Sequence, residues 1–177
     1  MGQTALLVID VQNALIQGNP YGKEHLIQNL QTLIHAARKH KVEVIFVRHD
    51  DGVGSDFEVD TPLWQIHKSV SPLEGEQIFD KQFNSAFHKT QLHAYLESKN
   101  IQKLMVAGMQ TEFCIDATIR SAFDLGYQVA IPEQAHTSFD NPYMTAEKLI
   151  DYYNHYMWHE RYAMVLSMDE AVAQLIK

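Results

Sequence analysis

The chain has 177 residues, 46% of them apolar, and a formal net charge of -8. That length suits one domain over residues 1–177, and that apolar share supplies a real core and excludes a disordered chain. The acidic balance, without any Lys/Arg cluster, argues against a nucleic-acid partner, and no apolar run approaches the roughly 18 residues of a membrane span.

The single cysteine, Cys114, has no internal disulfide partner. Secreted proteins seldom leave one thiol free, so a cytoplasmic location is expected. The N-terminus lacks a charged region followed by a long apolar stretch, so no signal peptide is expected. Met1-Gly2 opens like an acylation site, but Leu6 stands where Ser or Thr is required.

In chain order, Thr4 to Asp10 reads as a buried strand, an aliphatic run that ends on a charge. His25 to Lys41 reads as a helix, with Leu26, Leu30, Leu33, Ile34 and Ala37 at helical spacing. Val42 to Arg48 is a second strand and Gln77 to Lys81 a third. A helix is predicted over Thr90 to Asn100, a fourth strand over Ile101 to Gly108, and a helix over Thr111 to Gly126. Tyr127 to Ile131 is a fifth strand, stopped by Pro132. Thr145 to Glu160 is a long helix, Ala163 to Leu166 a sixth strand, and a last helix runs from a Ser167 cap to Lys177.

Strands apolar on both faces, separated by helices, predict a doubly wound α/β fold. Its mainly parallel six-stranded sheet has helices on both faces. Ligands of such folds bind outside the carboxyl ends of the strands, where the winding reverses. Three chemically active groups fall at or just past strand ends: Asp10 at the end of the first, Lys81 at the end of the third, and Cys114 shortly after the fourth.

Thr111 is a suitable N-cap, which places Cys114 at the third position of a helix. Unpaired N–H groups and the positive end of the helix dipole lie there, and both predict a thiol held below its ordinary pKa. Taken singly, each residue has a plain structural reading. Cys114 can be a small buried apolar residue, Asp10 a turn former, and Lys81 a solvated lysine. Together they specify a mechanism. Lys81 keeps Asp10 ionised and favours the thiolate. Asp10 takes the thiol proton and delivers it to a leaving amine. Backbone N–H groups at the strand-to-helix turn hold the oxyanion. That is covalent acyl transfer through a thioester.

Three stretches carry a family resemblance: Leu7 to Asn13 (LVIDVQN), Lys81 to Phe87 (KQFNSAF) and Ala107 to Thr118 (AGMQTEFCIDAT). In order and spacing they resemble the isochorismatase-like cysteine hydrolase superfamily, and the resemblance covers essentially the whole chain. It implies a Cys114, Asp10, Lys81 triad. It also implies a cis peptide between Met109 and Gln110, which aims the backbone N–H groups of Gln110 and Cys114 into an oxyanion hole. Members hydrolyse amide or ureido C–N bonds of small molecules. Isochorismatase itself cleaves a vinyl ether and need not use a cysteine, so Cys114 tilts the expectation to C–N cleavage.

Two departures from the family pattern stand out. Nicotinamidases hold a metal after the second strand through Asp-x-His and a later His. Here His49-Asp50-Asp51-Gly52 has glycine where that histidine falls. Asp50 and His67 alone make a poor site, so no metal and no cofactor is expected. Relatives often carry Asp-Ala after the fifth strand, where this chain has Gln134-Ala135.

Trp64 and Phe87 are candidates to wall a substrate pocket, although both can equally be core, and Gln12 joins them as a candidate substrate-binding residue. His155 and His159 share i, i+4 spacing but lack the His-Glu-x-x-His pattern of a zinc site. With Tyr152, Tyr153, Tyr156, Met157 and Trp158 they form an aromatic face that suits self-association, so a homo-oligomer, at least a dimer, is expected. The expected partner is a small-molecule amide. Two alternatives stay open: a non-catalytic binding or assembly oligomer of the same fold, and an ether hydrolase of the isochorismatase kind.

Overall fold

A computed structural model describes residues 3–176, so the Met1-Gly2 terminus and the predicted helix end at Lys177 lie outside the described residues. Seven strands form one sheet: β1 (Gln3–Ile9), β2 (Glu43–His49), β3 (Gln77–Lys81), β4 (Ile101–Met109), β5 (Gln128–Pro132), β6 (His136–Thr137) and β7 (Met164–Leu166). All pair in parallel in the order β3-β2-β1-β4-β5-β7, with β6 beside the end of β4. The chain runs outward from β1 to β3, then returns to β4 on the other side of β1. The winding therefore reverses between β1 and β4.

Alternation along β1 explains the two cores. Leu6 and Val8 face one side, with Leu26, Leu30, Leu33 and Ile34 of α2 (Lys23–Lys39) and Ala171 and Leu175 of α6 (Met168–Leu175). Ala5, Leu7 and Ile9 face the other, with Leu92 and Leu96 of α3 (Leu92–Ser98), Ile119 and Ala122 of α4 (Asp116–Asp124), and Trp158. Both faces of the strand are apolar because helices cover both. Ser167 caps α6 through a reciprocal capping box with Glu170.

The sheet has one strand more than the six expected. β6 pairs only at Gly108–His136 and Met109–Thr137, and two residues carry no periodic signal. A short helix α1 (Asn13–Gln17) also follows β1. Two predicted helices are composite. The one after β4 opens with a π-helical turn, Thr111–Ile115, before α4. The long one divides into α5 (Ala146–Tyr152) and a π-helical segment, Tyr153–Trp158. That division ends the helix before His159, so His155 and His159 do not share a helical face. Tyr152 and Tyr156 stack outward, whereas Trp158 is fully buried.

Candidate active site

The switch point between β1 and β4 brings distant segments together. Ile9 pairs with Gly108, and a Cβ on Gly108 would lie 2.0 Å from the Ile9 carbonyl oxygen. Only glycine permits that approach, and Gly108 also has φ +127°. Immediately after β1, Asp10 takes a left-handed conformation, φ 52°. Aspartate is among the few residues with a side chain that populate that region. After β4 the Met109–Gln110 peptide is cis, as the resemblance implies. The π-helical turn then closes with the Ile115 N–H donating to the Gln110 carbonyl at 3.2 Å. Single π turns recur at functional sites, and here one carries Cys114.

Gln110, not Thr111, occupies the cap position, and it makes no side-chain cap bond. Thr111 pairs its hydroxyl with His136 Nδ1 at 2.9 Å instead. Cys114 is therefore the fourth residue of the turn rather than the third.

The three groups meet. Lys81 Nζ donates to Asp10 Oδ2 at 2.7 Å and to Cys114 Sγ at 3.1 Å. Asp10 and Lys81 are buried, and Cys114 is 8% exposed. A third partner was not assigned from the sequence: His49 Nδ1 lies 2.9 Å from the same Nζ. An ammonium can only donate, so Nδ1 accepts. The imidazole hydrogen then sits on Nε2, which lies 2.9 Å from Asp51 Oδ1. Three N–H bonds thus meet three acceptors on three chain segments.

Burial works against the Lys81 charge, but Asp10 and Cys114 outweigh it and raise its pKa. The thiol behaves opposite to the expectation of a lowered pKa. Burial pushes Cys114 up and the Asp10 carboxylate adds to this, while Lys81 only partly offsets them. Burial and the carboxylate both favour the protonated thiol. Asp10 Oδ1 is buried with no hydrogen-bond partner among the described residues. Asp10, His49 and Cys114 each offer an atom within 4.8 Å of the others. An unpartnered carboxylate oxygen thus belongs to the same buried cluster as the thiol.

Those three residues are also the one cluster of metal-ligand type found among the described residues. Lys81 bonds to every member of it, so the cation there is an ammonium. Asp50 is engaged elsewhere, accepting from Gln82 Nε2 at 2.9 Å and Gly52 N at 2.8 Å. His67 Nδ1 accepts from Ser69 N. The two are not drawn into a cluster.

The three substrate-binding candidates fall elsewhere. Gln12 is fully buried. Both its amide hydrogens are used, to His49 O at 3.0 Å and Trp64 O at 2.8 Å, and its oxygen accepts from His49 N at 2.8 Å. It clamps the end of β2 and has no donor left for a ligand. Trp64 is 4% exposed and lies under the Arg48 guanidinium, 3.6 Å from its ring centroid. Phe87 stacks on Tyr127 and packs into the core with α3. Asn84, which the sequence reading passed over, does approach the thiol: its Oδ1 lies 3.9 Å from Cys114 Sγ.

Fold and site together define a class: a hydrolase built on a doubly wound parallel sheet, with its reactive groups at the switch point. The Isochorismatase domain model matches residues 4–159, and the chain belongs to the isochorismatase family of hydrolases. It is 33% identical over 140 residues to a streptothricin hydrolase from Streptomyces noursei, covering 78% of this chain and 51% of that one. It is 30% identical over 155 residues to an N-carbamoylsarcosine amidase from Arthrobacter sp., covering 73% and 58%. The chain thus spans little more than half the length of these two relatives. The crystal structure of an isochorismatase from Pseudomonas putida KT2440 superposes with a TM-score of 0.90 at 28% identity, covering 95% of this chain and 89% of that one.

Proposed function

We propose that this hydrolase cleaves a C–N bond of a small amide or ureido compound, with Cys114 as nucleophile, Asp10 as proton acceptor and donor, and Lys81 as the cation between them. The observation that carries this reading is the single ammonium touching both Asp10 Oδ2 and Cys114 Sγ while Asp10 Oδ1 stays unpaired. As sulfur attacks the carbonyl carbon, its proton passes to Asp10. The carbonyl oxygen becomes an oxyanion, which the N–H groups of Gln110 and Cys114 receive. The C–N bond breaks, the nitrogen leaves with the proton from Asp10, and a thioester remains. Water then attacks the thioester, Asp10 takes its proton, and the thiol is restored as the acid departs.

The likeness to an amidase supports C–N over ether cleavage. A nucleophilic thiol works in a reducing compartment, so the cytoplasm is the proposed location. The test is a panel of small amides and ureas with detection of released ammonia or amine, wild type against Cys114→Ala. Release that requires Cys114 is the expected result. Hydrolysis of a vinyl ether that survives Cys114→Ala, with no amide turned over, overturns the reading.

A further inference from the structure

Asn84 is presented beside the nucleophile by a pinned segment. Lys81, three residues earlier, is fixed by its three bonds. Ser85 Oγ donates to Ser121 Oγ at 2.8 Å, and the buried Ala86 N–H donates to Thr118 Oγ1 at 3.0 Å. Both acceptors lie on α4, the helix that continues from the nucleophile turn. The backbone on either side of Asn84 therefore holds a set position relative to Cys114. Asp10 and Lys81 approach the sulfur from the buried interior, whereas Asn84 is exposed. Its exposed side chain carries Oδ1 3.9 Å from Sγ.

At 3.9 Å the sulfur makes at most a weak bond to that oxygen. Asn84 Oδ1 is thus an acceptor held close to the reacting atom without a strong partner in the free site. We infer that Asn84 determines specificity: its side-chain oxygen accepts an N–H of the carboxamide presented to Cys114 and so favours amides over isosteric esters. This rests on the hydrolase reading and deepens it. An ester places a lone pair, not a hydrogen, against Oδ1, and an unmet acceptor costs binding. Because the residue is exposed, water relieves part of that cost, and the discrimination is modest.

The test compares alkylation of Cys114, the single cysteine, by iodoacetamide and by methyl iodoacetate, followed by mass spectrometry. The carboxamide of the first reagent lies one carbon beyond the scissile position, within reach of the same oxygen. Glutathione supplies the intrinsic reactivity ratio of the reagents. Both see the same thiol, so any change in thiol pKa cancels in the ratio. The wild-type amide-to-ester ratio is expected to exceed that of glutathione by about fivefold, the worth of one neutral hydrogen bond. Asn84→Ala should return the ratio to the glutathione value, and Asn84→Asp, which keeps an acceptor, should retain the amide preference. A wild-type ratio equal to that of glutathione, or an elevated ratio that persists in Asn84→Ala, overturns the inference. Neither result touches Cys114-dependent release from the amide panel, so the two readings fail separately.

Discussion

Lys81 Nζ lies 2.7 Å from Asp10 Oδ2 although β2 runs between their strands. Neighbouring strands are about 4.8 Å apart, so the ammonium bridges roughly 10 Å of sheet edge. A long, unbranched four-carbon stem spans that gap, and a compact ammonium fits among three acceptors where a planar guanidinium would not. Lys81→Met keeps the stem and removes the charge. It leaves a buried carboxylate unpaired, at about 3–5 kcal/mol, and removes the group that draws the thiol pKa down. Urea unfolding should show that loss, and turnover should fall by about a thousandfold. The double variant Asp10→Asn/Lys81→Met should regain part of the stability and none of the turnover. A single variant as stable as wild type would mean that the pair is not held as a buried ion pair.

Asp10→Asn separates the two effects of the carboxylate. With Asp10 as the proposed base, turnover should drop by about 10²–10⁴-fold in the variant. As a buried anion beside sulfur, Asp10 also holds the thiol pKa up. Its removal should therefore lower that pKa and speed alkylation of Cys114 by iodoacetamide at pH 7.5. Faster labelling with lost turnover is the expected pair of results. Slower labelling would assign Asp10 a thiolate-promoting role in the resting site.

The doubly wound sheet was legible because β1, β2, β4 and β5 are short, mainly aliphatic runs between turn residues, although β3 (QIFDK) is not, and the three reactive groups fall at or near strand ends. Strand order was the missing coordinate. His49 pairs in register with Lys81, but that follows only once β2 is known to lie beside β3. The same gap explains Gln12, whose hydrogen bonds run to the end of β2 and to Trp64. Helical spacing of apolar residues also cannot separate a π turn from an α turn, so the geometry around Cys114 was predicted as regular helix. The thiol pKa direction was misread because the helix-terminus argument omitted desolvation, which dominates for a buried sulfur.

At Gly108 the backbone of β4 lies against Ile9 of β1, and the substitution Gly108→Ala tests whether that approach builds the site. The new Cβ would overlap the Ile9 backbone, with nitrogen at 2.8 Å and oxygen at 2.0 Å. Backbone cannot rotate away as a flexible side chain can. The residue also has φ +127°, a conformation that alanine rarely adopts. Destabilisation of about 4 kcal/mol is expected, in the upper tail for single substitutions. Differential scanning calorimetry measures it. Gly126→Ala is the control, because nothing lies within 4 Å of its added Cβ. At φ +88° it should pay only the cost of a left-handed backbone, roughly 1–2 kcal/mol. Equal losses in the two variants would show that β1 and β4 can separate freely at the switch point.

His136 gives the fold a pH dependence with a definite sign. Its Nδ1 faces the Thr111 hydroxyl and its Nε2 faces Asn154 Oδ1, both at 2.9 Å. Asn154 donates its own amide hydrogen to the Glu133 carbonyl, so its oxygen accepts and the histidine hydrogen sits on Nε2. Burial of the ring takes its pKa from 6.5 down to about 4. The unfolded chain therefore binds this proton first as pH falls. The stability of the neutral form is fully present above about pH 7 and is lost between 6.5 and 4. At pH 5 the loss from this residue alone is about 2 kcal/mol, since each pKa unit is worth about 1.4 kcal/mol. His136→Asn keeps an acceptor for Thr111 and cannot take up the proton. Its urea-unfolding free energy, whatever its baseline, should change less between pH 7.5 and 5 than that of wild type, by about the same 2 kcal/mol. Parallel pH curves for the two proteins would mean that His136 is protonated in the folded state as readily as in the unfolded chain. The Thr111 hydroxyl would then lack the acceptor that ties the first residue of the nucleophile turn to β6.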